Sequence, residues 1–103
     1  MYTTPADEAL SYTFNDAADR AKELNAQKHL GYDDWRVPTK SELNLLFSNR
    51  TAIGEFNESG SVPAGCYLSS SPHGSLYVWV QRFSDGRTDF ENQRMASTLR
   101  CVR

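Results

Sequence analysis

Three serines followed closely by a histidine are the part of this sequence that most invites a catalytic interpretation. Ser69, Ser70 and Ser71 precede His73 by a few positions. A serine hydrolase needs a serine, a histidine and an acid in contact, with oxyanion donors beside them. Nothing like a nucleophile elbow surrounds these serines. We therefore predict no catalytic residue and no enzymatic activity.

The potential metal ligands are scattered along the chain. Asp33 and Asp34 are adjacent, but calcium requires six or more oxygen ligands and no loop clusters that many. An aspartate pair also suits a turn, because short carboxylates accept hydrogen bonds from nearby backbone N–H groups. His29 and His73 are far apart, and neither cysteine has a partner at metal-ligand spacing. We predict a protein without a metal or any other cofactor.

The two cysteines, Cys66 and Cys101, leave two alternatives open. They could form one disulfide that ties the last strand to the middle of the chain. They could equally remain two small buried apolar side chains, as free cysteines often do. Two cysteines are too few for a disulfide-rich scaffold in either case.

A polar segment near the C-terminus is the best candidate for ligand binding. It mixes charges of both signs with amide side chains, a composition suited to directional hydrogen bonds. The candidate ligand-binding residues are Arg87, Asp89, Asn92, Gln93 and Arg94. The alternative is a polar hairpin tip without a special role.

The charge of the chain restricts the kinds of partner. The formal charge is −2 and the isoelectric point about 5.6, so no basic field exists to attract nucleic acid or anionic lipid. No stretch is long and apolar enough to insert into a membrane. Because no signal peptide is visible, we expect a cytoplasmic protein. If an export signal has been removed, we expect the domain outside the cell or on its surface.

Apolar spacing and capping residues predict two helices. The first begins at Thr13 or Asn15 and runs to about Leu30, with a stripe of small apolar residues on one face. The second runs from Lys40 to about Ser48. The small size of the first stripe indicates close packing on a broad surface such as a sheet.

The C-terminal third has the patterning of strands. Leu76 to Phe83 should be the central strand, buried on both sides, because apolar side chains lie on both of its faces. A tight turn then returns the chain as a hairpin. The strand before it should break at Pro72. The predicted strands cover residues 66–71, 76–83, 87–90 and 99–102, with a long irregular loop at 49–65 and a polar loop at 91–94.

The residues just before and within the second helix are each expected to have a structural role. Trp35 is a large apolar anchor, and Arg36 beside it is expected to form a buried hydrogen-bonding hub. Pro38 delays entry into the helix, and Thr39 with Glu42 forms a capping box. The residues to which we assign structural roles are Trp35, Arg36, Pro38, Thr39, Glu42 and Trp79.

The DUF1566 family, which includes the C-terminal domain of the Legionella collagen-like adhesin, has a signature that this chain resembles at residues 31–46, G-Y-D-D-W-R-V-P-T-K-S-E-L-N-L-L. Three later segments resemble the family in the same order. They are Tyr67-Leu68-Ser69-Ser70, the aromatic strand at 79–86 and the closing Arg100-Cys101-Val102-Arg103. The resemblance spans roughly residues 14–103 and implies an α+β, C-type-lectin-like fold. The length of 103 residues predicts that residues 1–103 form one such domain. In such a fold two helices pack on a small, mainly antiparallel twisted sheet with long loops, and the two termini pair.

Two activities of similar folds are not expected here. The residues around Arg36 and Glu42 are similar to a string of the formylglycine-generating enzymes, which depend on reactive cysteines close together. Cys66 and Cys101 are far apart in the chain. The E-P-N and Q-P-D tripeptides with which sugar-binding C-type lectins hold calcium are absent from the sequence.

The resemblance, with no catalytic constellation, predicts a non-catalytic recognition module. It would bind a protein or glycan surface through its C-terminal strands and loops, without a metal. The alternative is a small intracellular inhibitor or effector, borne by a phage or mobile element and acting by protein–protein interaction. The short acidic chain without a visible signal motivates this alternative.

Overall fold

The computed structural model describes residues 2–8, 10–58 and 65–103. Within these residues, α1 (Phe14–Ala26), α2 (Lys40–Ser48) and α3 (Arg50–Ile53) are α-helices, and His29–Gly31 is a 3-10 turn. The strands are β1 (Ser11–Tyr12), β2 (Cys66–His73), β3 (Tyr77–Arg82), β4 (Thr88–Asn92) and β5 (Ser97–Thr98). They form one sheet in the order β1-β5-β2-β3-β4, antiparallel except between β2 and β5. The predicted α+β class is confirmed, and the lectin-like assignment stays a prediction.

Helix α1 begins where the sequence predicts a cap. The hydroxyl of Thr13 accepts a hydrogen bond from the backbone N–H of Asp16 at 3.3 Å, which satisfies a free donor of the first turn. The small apolar stripe of the helix packs on one face of the sheet. The buried residues that meet there include Ala17, Ala21 and Leu24 of α1 and Leu68, Val78 and Val80 of the strands.

Helix α1 ends at Ala26, before the predicted end at Leu30. Lys28 and Leu30 have φ angles of 48° and 55°, and an α-helix of L-residues does not continue through that left-handed conformation. The predicted end was wrong because apolar spacing does not reveal such backbone angles. The turn instead brings the carbonyl of His29 to the indole N–H of Trp35, which donates to it at 2.8 Å.

Helix α2 packs on the opposite face of the sheet from α1. Its buried residues Leu43 and Leu46 contact a cluster with Tyr67 and Phe83. Tyr67 and Leu68 are neighbours on β2, so their side chains point to opposite faces. The sheet therefore lies between the two helices.

The segment before α2 is built largely from backbone hydrogen bonds. The predicted capping box of Thr39 and Glu42 is present, with each side chain accepting from the other residue's backbone N–H. Trp35 is buried at 3% exposure. Pro38 is also buried, and its carbonyl accepts the backbone N–H of Ser70 at 2.8 Å. This segment holds α2 against β2.

The strands differ from the prediction at two ends. Strand β2 continues through Pro72 to His73, because a register shift between Leu68 and Pro72 accommodates the proline. Strand β4 extends to Asn92, where a polar loop was predicted to have begun. The predicted loop at 49–65 contains α3, and its residues 59–64 lie outside the described residues.

Strand β3 lies between β2 and β4, but one of its faces is open at the Tyr77 end. Val78 and Val80 are buried under α1, whereas Tyr77 is exposed and Trp79 is half-buried. The prediction of burial on both faces was wrong. Helix α2 packs its apolar residues near Phe83 and leaves the Tyr77 end of β3 uncovered.

The two ends of the chain lie side by side. Tyr2 and Arg103 exchange two backbone hydrogen bonds of 2.8 and 2.9 Å, and Val102 forms a β-bridge with Arg36. The predicted closing strand at 99–102 is therefore shifted, because the regular strand is β5 at Ser97–Thr98. The pairing of the termini that the resemblance implied is present.

Arg100 is the most deeply buried charged residue described, with its side chain 0% exposed. Its guanidinium donates four hydrogen bonds to two segments that are distant in the sequence. The acceptors are the carboxylate of Asp7 at 3.1 Å and the carbonyls of Thr4 at 2.7 Å, Gly54 at 3.1 Å and Glu55 at 3.1 Å. The guanidinium also lies 4.2 Å from the ring centroid of Phe56.

The prediction that Arg36 forms a buried hub was wrong. Its side chain is 49% exposed and pairs with Glu42 at the surface. In an extended segment successive side chains point in opposite directions, so the burial of Trp35 turns Arg36 outward. Arg100 has the buried role instead.

Replacing Arg100 with methionine should lower the free energy of unfolding by about 3 kcal/mol, because Asp7 and three carbonyls lose their donor inside the protein. Urea denaturation at neutral pH measures this change. Arg87→Met is the matched control, and its 66% exposed side chain should matter by less than about 0.5 kcal/mol. Equal stability of the Arg100→Met variant and the wild type would contradict the central role of Arg100.

Candidate binding surface

The five residues predicted to bind a ligand do not converge on one site. Alternation along β4 places Asp89 on the α1 face of the sheet, opposite Val80, and Asn92 on the α2 face, opposite Tyr77. The Arg87 side chain is 66% exposed, and its ion pair with Asp89 is long at 3.7 Å. Such an ion pair contributes little to the stability of the fold, because solvent screens the two charges.

Asn92, Gln93 and Arg94 do lie together, in a shallow cleft of about 380 Å³. Two of these side chains are used by the fold. Asn92 Oδ1 accepts the backbone N–H of Arg94 at 2.9 Å, and Gln93 Nε2 donates to the carbonyl of Tyr77 at 2.9 Å. The Asn92 bond stabilises the turn after β4, and the Gln93 bond attaches that turn to the start of β3. The rest of the cleft is lined by Asn15, Ser75 and Leu76.

Four aromatic side chains gather on the open α2 face of the hairpin, and we call them the aromatic platform. They are His73, Tyr77, Trp79 and Phe90. The His73 ring centroid lies 4.4 Å from that of Trp79 and 4.7 Å from that of Phe90, and the Tyr77 centroid lies 5.3 Å from that of Phe90. Tyr77 is 39% exposed and Phe90 43%. The rings stabilise one another while keeping a broad surface in water.

Strand register puts these rings together. Trp79 is directly opposite Phe90, and Tyr77 is directly opposite His73. The platform was not predicted from the sequence, although Tyr77 and Trp79 share one strand face and the hairpin returns Phe90 toward it. The position of His73 was not predictable, because the strand was expected to break before it.

The first residue of α2 reaches the platform. The ammonium of Lys40 lies 3.7 Å from the ring centroid of Trp79, a cation–π contact. The backbone N–H of Lys40 donates to the hydroxyl of Ser71 at 3.0 Å, which fixes the start of α2 to β2. Glu42 stabilises the N-terminus of α2 through the capping box. The hydrogen bonds from Arg36 lower the pKa of Glu42 to about 2.

A cleft of about 600 Å³ adjoins the platform, and we call it the α2 cleft. Its lining residues are Lys40, Ser41, Asn44, Leu45 and Thr88. Gln81 is buried beside it and donates through Nε2 to Asn44 Oδ1 at 3.2 Å and to the carbonyl of Gly86 at 2.9 Å. The cleft thus combines hydroxyl, amide and ammonium groups next to aromatic rings.

The residues that invited a catalytic interpretation serve other purposes. Ser69 is buried, and its hydroxyl donates to the carbonyl of Trp79 at 2.6 Å. The ring of His73 is stacked in the aromatic platform. Among the described residues, no group of three or more His, Cys, Asp or Glu side chains is arranged to hold a metal ion.

Cys66 and Cys101 are free thiols in the core between α1 and the sheet. Both are nearly inaccessible, at 2% and 0% exposure. Burial raises the pKa of Cys66 and raises that of Cys101 to about 12. A thiol with a raised pKa is a poor nucleophile, because the thiolate is the reactive form.

The chain was compared with protein families and with curated proteins. A family model described as the Lcl C-terminal domain matches residues 2–103. This span covers nearly the whole chain, so the family resemblance predicted from four ordered motifs is confirmed. Among curated proteins, none matches the sequence closely enough to count as a relative. In the part of the chain that the structure describes, no helix has the length and apolar character needed to span a membrane.

The pairing of Arg36 with Glu42 should make stability depend on pH in acid. The folded pKa of Glu42, about 2, lies below its unfolded value, so the pair stabilises fully above about pH 5 and is lost as the pH falls toward about 2. Glu42→Gln can keep the capping bond but not the charge. It should lower the free energy of unfolding at neutral pH by about 1 kcal/mol, since solvent screens the half-exposed Arg36.

Urea denaturation at neutral pH and at about pH 2 tests this prediction. Asp19→Asn is the control, since it removes an exposed carboxylate from α1. The gap between wild type and Glu42→Gln should close near the lower pH. If the two proteins still differ as much in free energy of unfolding at the lower pH, the charge of Glu42 is not the cause of the difference.

The two thiols should resist alkylation in the folded protein. Iodoacetamide at mildly alkaline pH should label neither Cys66 nor Cys101 until denaturant unfolds the chain, because both are buried with raised pKa values. Mass spectrometry across a urea series follows the labelling. Rapid labelling of the native protein would contradict this account and would favour a reactive cysteine.

Proposed function

Because the chain belongs to the family of Lcl C-terminal domains, we propose that it is a non-catalytic recognition module that binds a protein or glycan surface without a metal ion. Family membership indicates a binding, adhesin-like module. The surface that we assign to the binding is the aromatic platform with the adjoining α2 cleft, in place of the arginines of the hairpin.

The observation that carries this proposal is a group of exposed aromatic rings on a rigid sheet. Tyr77 and Phe90 keep 39% and 43% of their surface in water, although both are in contact with other rings. Aromatic side chains are enriched in interfaces because they supply large apolar area at low cost in conformational entropy. Strand pairing on both sides of β3 positions these rings in advance, which reduces the ordering cost of binding.

The groups around the platform support a metal-free mode of binding. Lys40, Ser41, Asn44 and Thr88 supply donors and hydroxyl or amide acceptors without a carboxylate. Protein sites for calcium rely on several carboxylates, and zinc sites on imidazoles and thiolates. The imidazole of His73 is in stacking contact with its neighbours. Recognition through stacking and hydrogen bonds needs no metal-coordinating side chains.

The test compares variants of the full chain on a printed glycan array and in pull-downs from host extracts. Tyr77→Ala/Phe90→Ala should lose binding to the target that the wild type captures, because aromatic residues dominate interface energetics. Arg87→Ala/Arg94→Ala should retain binding, because these side chains are exposed and lie outside the platform.

Leu10→Ala/Leu30→Ala is the matched control, since it removes two apolar side chains that are 68% and 56% exposed and belong neither to the platform nor to the lining of the α2 cleft. It should bind like the wild type. Loss of binding in the arginine variant with retention in the aromatic variant would return the site to the hairpin residues predicted from the sequence.

A further inference from the structure

We propose that the aromatic platform and the α2 cleft together bind one hexopyranose unit of a glycan, with the sugar ring stacked on Phe90 and its hydroxyls bonded in the cleft. This inference rests on the recognition function proposed above and names the chemical class of its ligand.

The two surfaces are continuous over the length of one ligand ring. Lys40 lines the cleft, and its ammonium lies 3.7 Å from the ring centroid of Trp79 in the platform. Thr88 also lines the cleft, and Phe90 follows it by two positions on the same face of β4. Two positions along a strand are roughly 7 Å. A ring stacked on Phe90 therefore brings its edge to the cleft.

The platform offers the surface that a pyranose ring needs on its apolar side. One face of many hexopyranoses presents mainly C–H groups, which are attracted to the negative face of an aromatic ring. Phe90 is 43% exposed and contacts the rings of His73 and Tyr77. These contacts fix its position before a ligand arrives, so stacking on it costs little ordering entropy.

The cleft offers the groups that sugar hydroxyls need. Ser41, Asn44 and Thr88 are exposed, and each side chain both donates and accepts hydrogen bonds, as a sugar hydroxyl does. Gln81 holds Asn44 by its Oδ1 atom at 3.2 Å, which leaves the NH₂ group of Asn44 for another acceptor. Gln81 is 2% exposed, and its own Oε1 has no partner among the described residues.

The same groups argue against a ligand that is recognised by its charge and against an extended peptide that is recognised by its backbone hydrogen bonds. Lys40 is the charged member of the cleft lining, and its ammonium is already on Trp79. An extended peptide would pair with the edge of β4, whereas the platform lies on a face of the sheet. A ring with one apolar face and a rim of hydroxyls matches both halves of the surface.

The experiment titrates the full ¹⁵N-labelled chain with the methyl glycosides of glucose, galactose, mannose and N-acetylglucosamine, followed by NMR. At least one glycoside should shift the side-chain amide of Asn44, the backbone amide of Phe90 and the indole N–H of Trp79. Phe90→Ala should weaken its binding about tenfold or more, and Thr88→Val about three- to tenfold, the usual effects of a lost stacking partner and a lost hydrogen bond.

Ser75→Ala, in the other cleft, is the control and should bind like the wild type. If none of the four glycosides shifts these signals, or if Phe90→Ala binds as tightly as the wild type, the pyranose assignment is wrong. The proposed function still stands if Tyr77→Ala/Phe90→Ala nevertheless loses a captured protein target. Shifts confined to the cleft of Asn15 and Arg94 would contradict the inference and the platform alike.

Discussion

The buried guanidinium of Arg100 is the interaction on which the rest of the domain depends. Its charge is tolerated inside the protein because a carboxylate and three carbonyls accept its hydrogen bonds. Those acceptors belong to the chain before β1 and to the segment after α3, so one side chain fixes both beside the end of the chain. Tyr67 extends the network, since its hydroxyl donates to Asp7 and accepts the N–H of Asn57. The network reaches α2 through Tyr67, because Leu43 and Leu46 of α2 pack in the same cluster as its ring.

The contacts that hold the fold and the proposed binding surface meet at the start of α2. The segment from Trp35 to Glu42 anchors the core, caps α2 and pairs with the end of the chain, and its residues Lys40 and Ser41 also line the α2 cleft. The hairpin of β3 and β4 needs its α1 face for the core, where Val78 and Val80 are buried. Its other face is left open at the Tyr77 end, and that is where the aromatic rings gather.

Local patterns in the sequence were enough for the features that depend on neighbouring residues. The cap of α1, the capping box of α2 and the hairpin turn were all predicted, because each depends on residues a few positions apart. At the turn, Gly86 takes a φ of 79°, which glycine adopts without strain. Features that depend on distant contacts were missed. Arg36 and Arg100 look alike in sequence, and the difference in their burial comes from which segments fold over them. The platform likewise needed the register shift at Pro72, which has no local signal.

The most direct measurement of the central claim is a crystal structure of the full chain grown with the methyl glycoside that it binds most tightly. We expect a sugar ring stacked on Phe90, with hydroxyls within hydrogen-bond distance of Asn44 and Thr88. A sugar held by Arg87 or Arg94 with an empty platform would contradict it, and would show that the charged hairpin residues recognise the ligand.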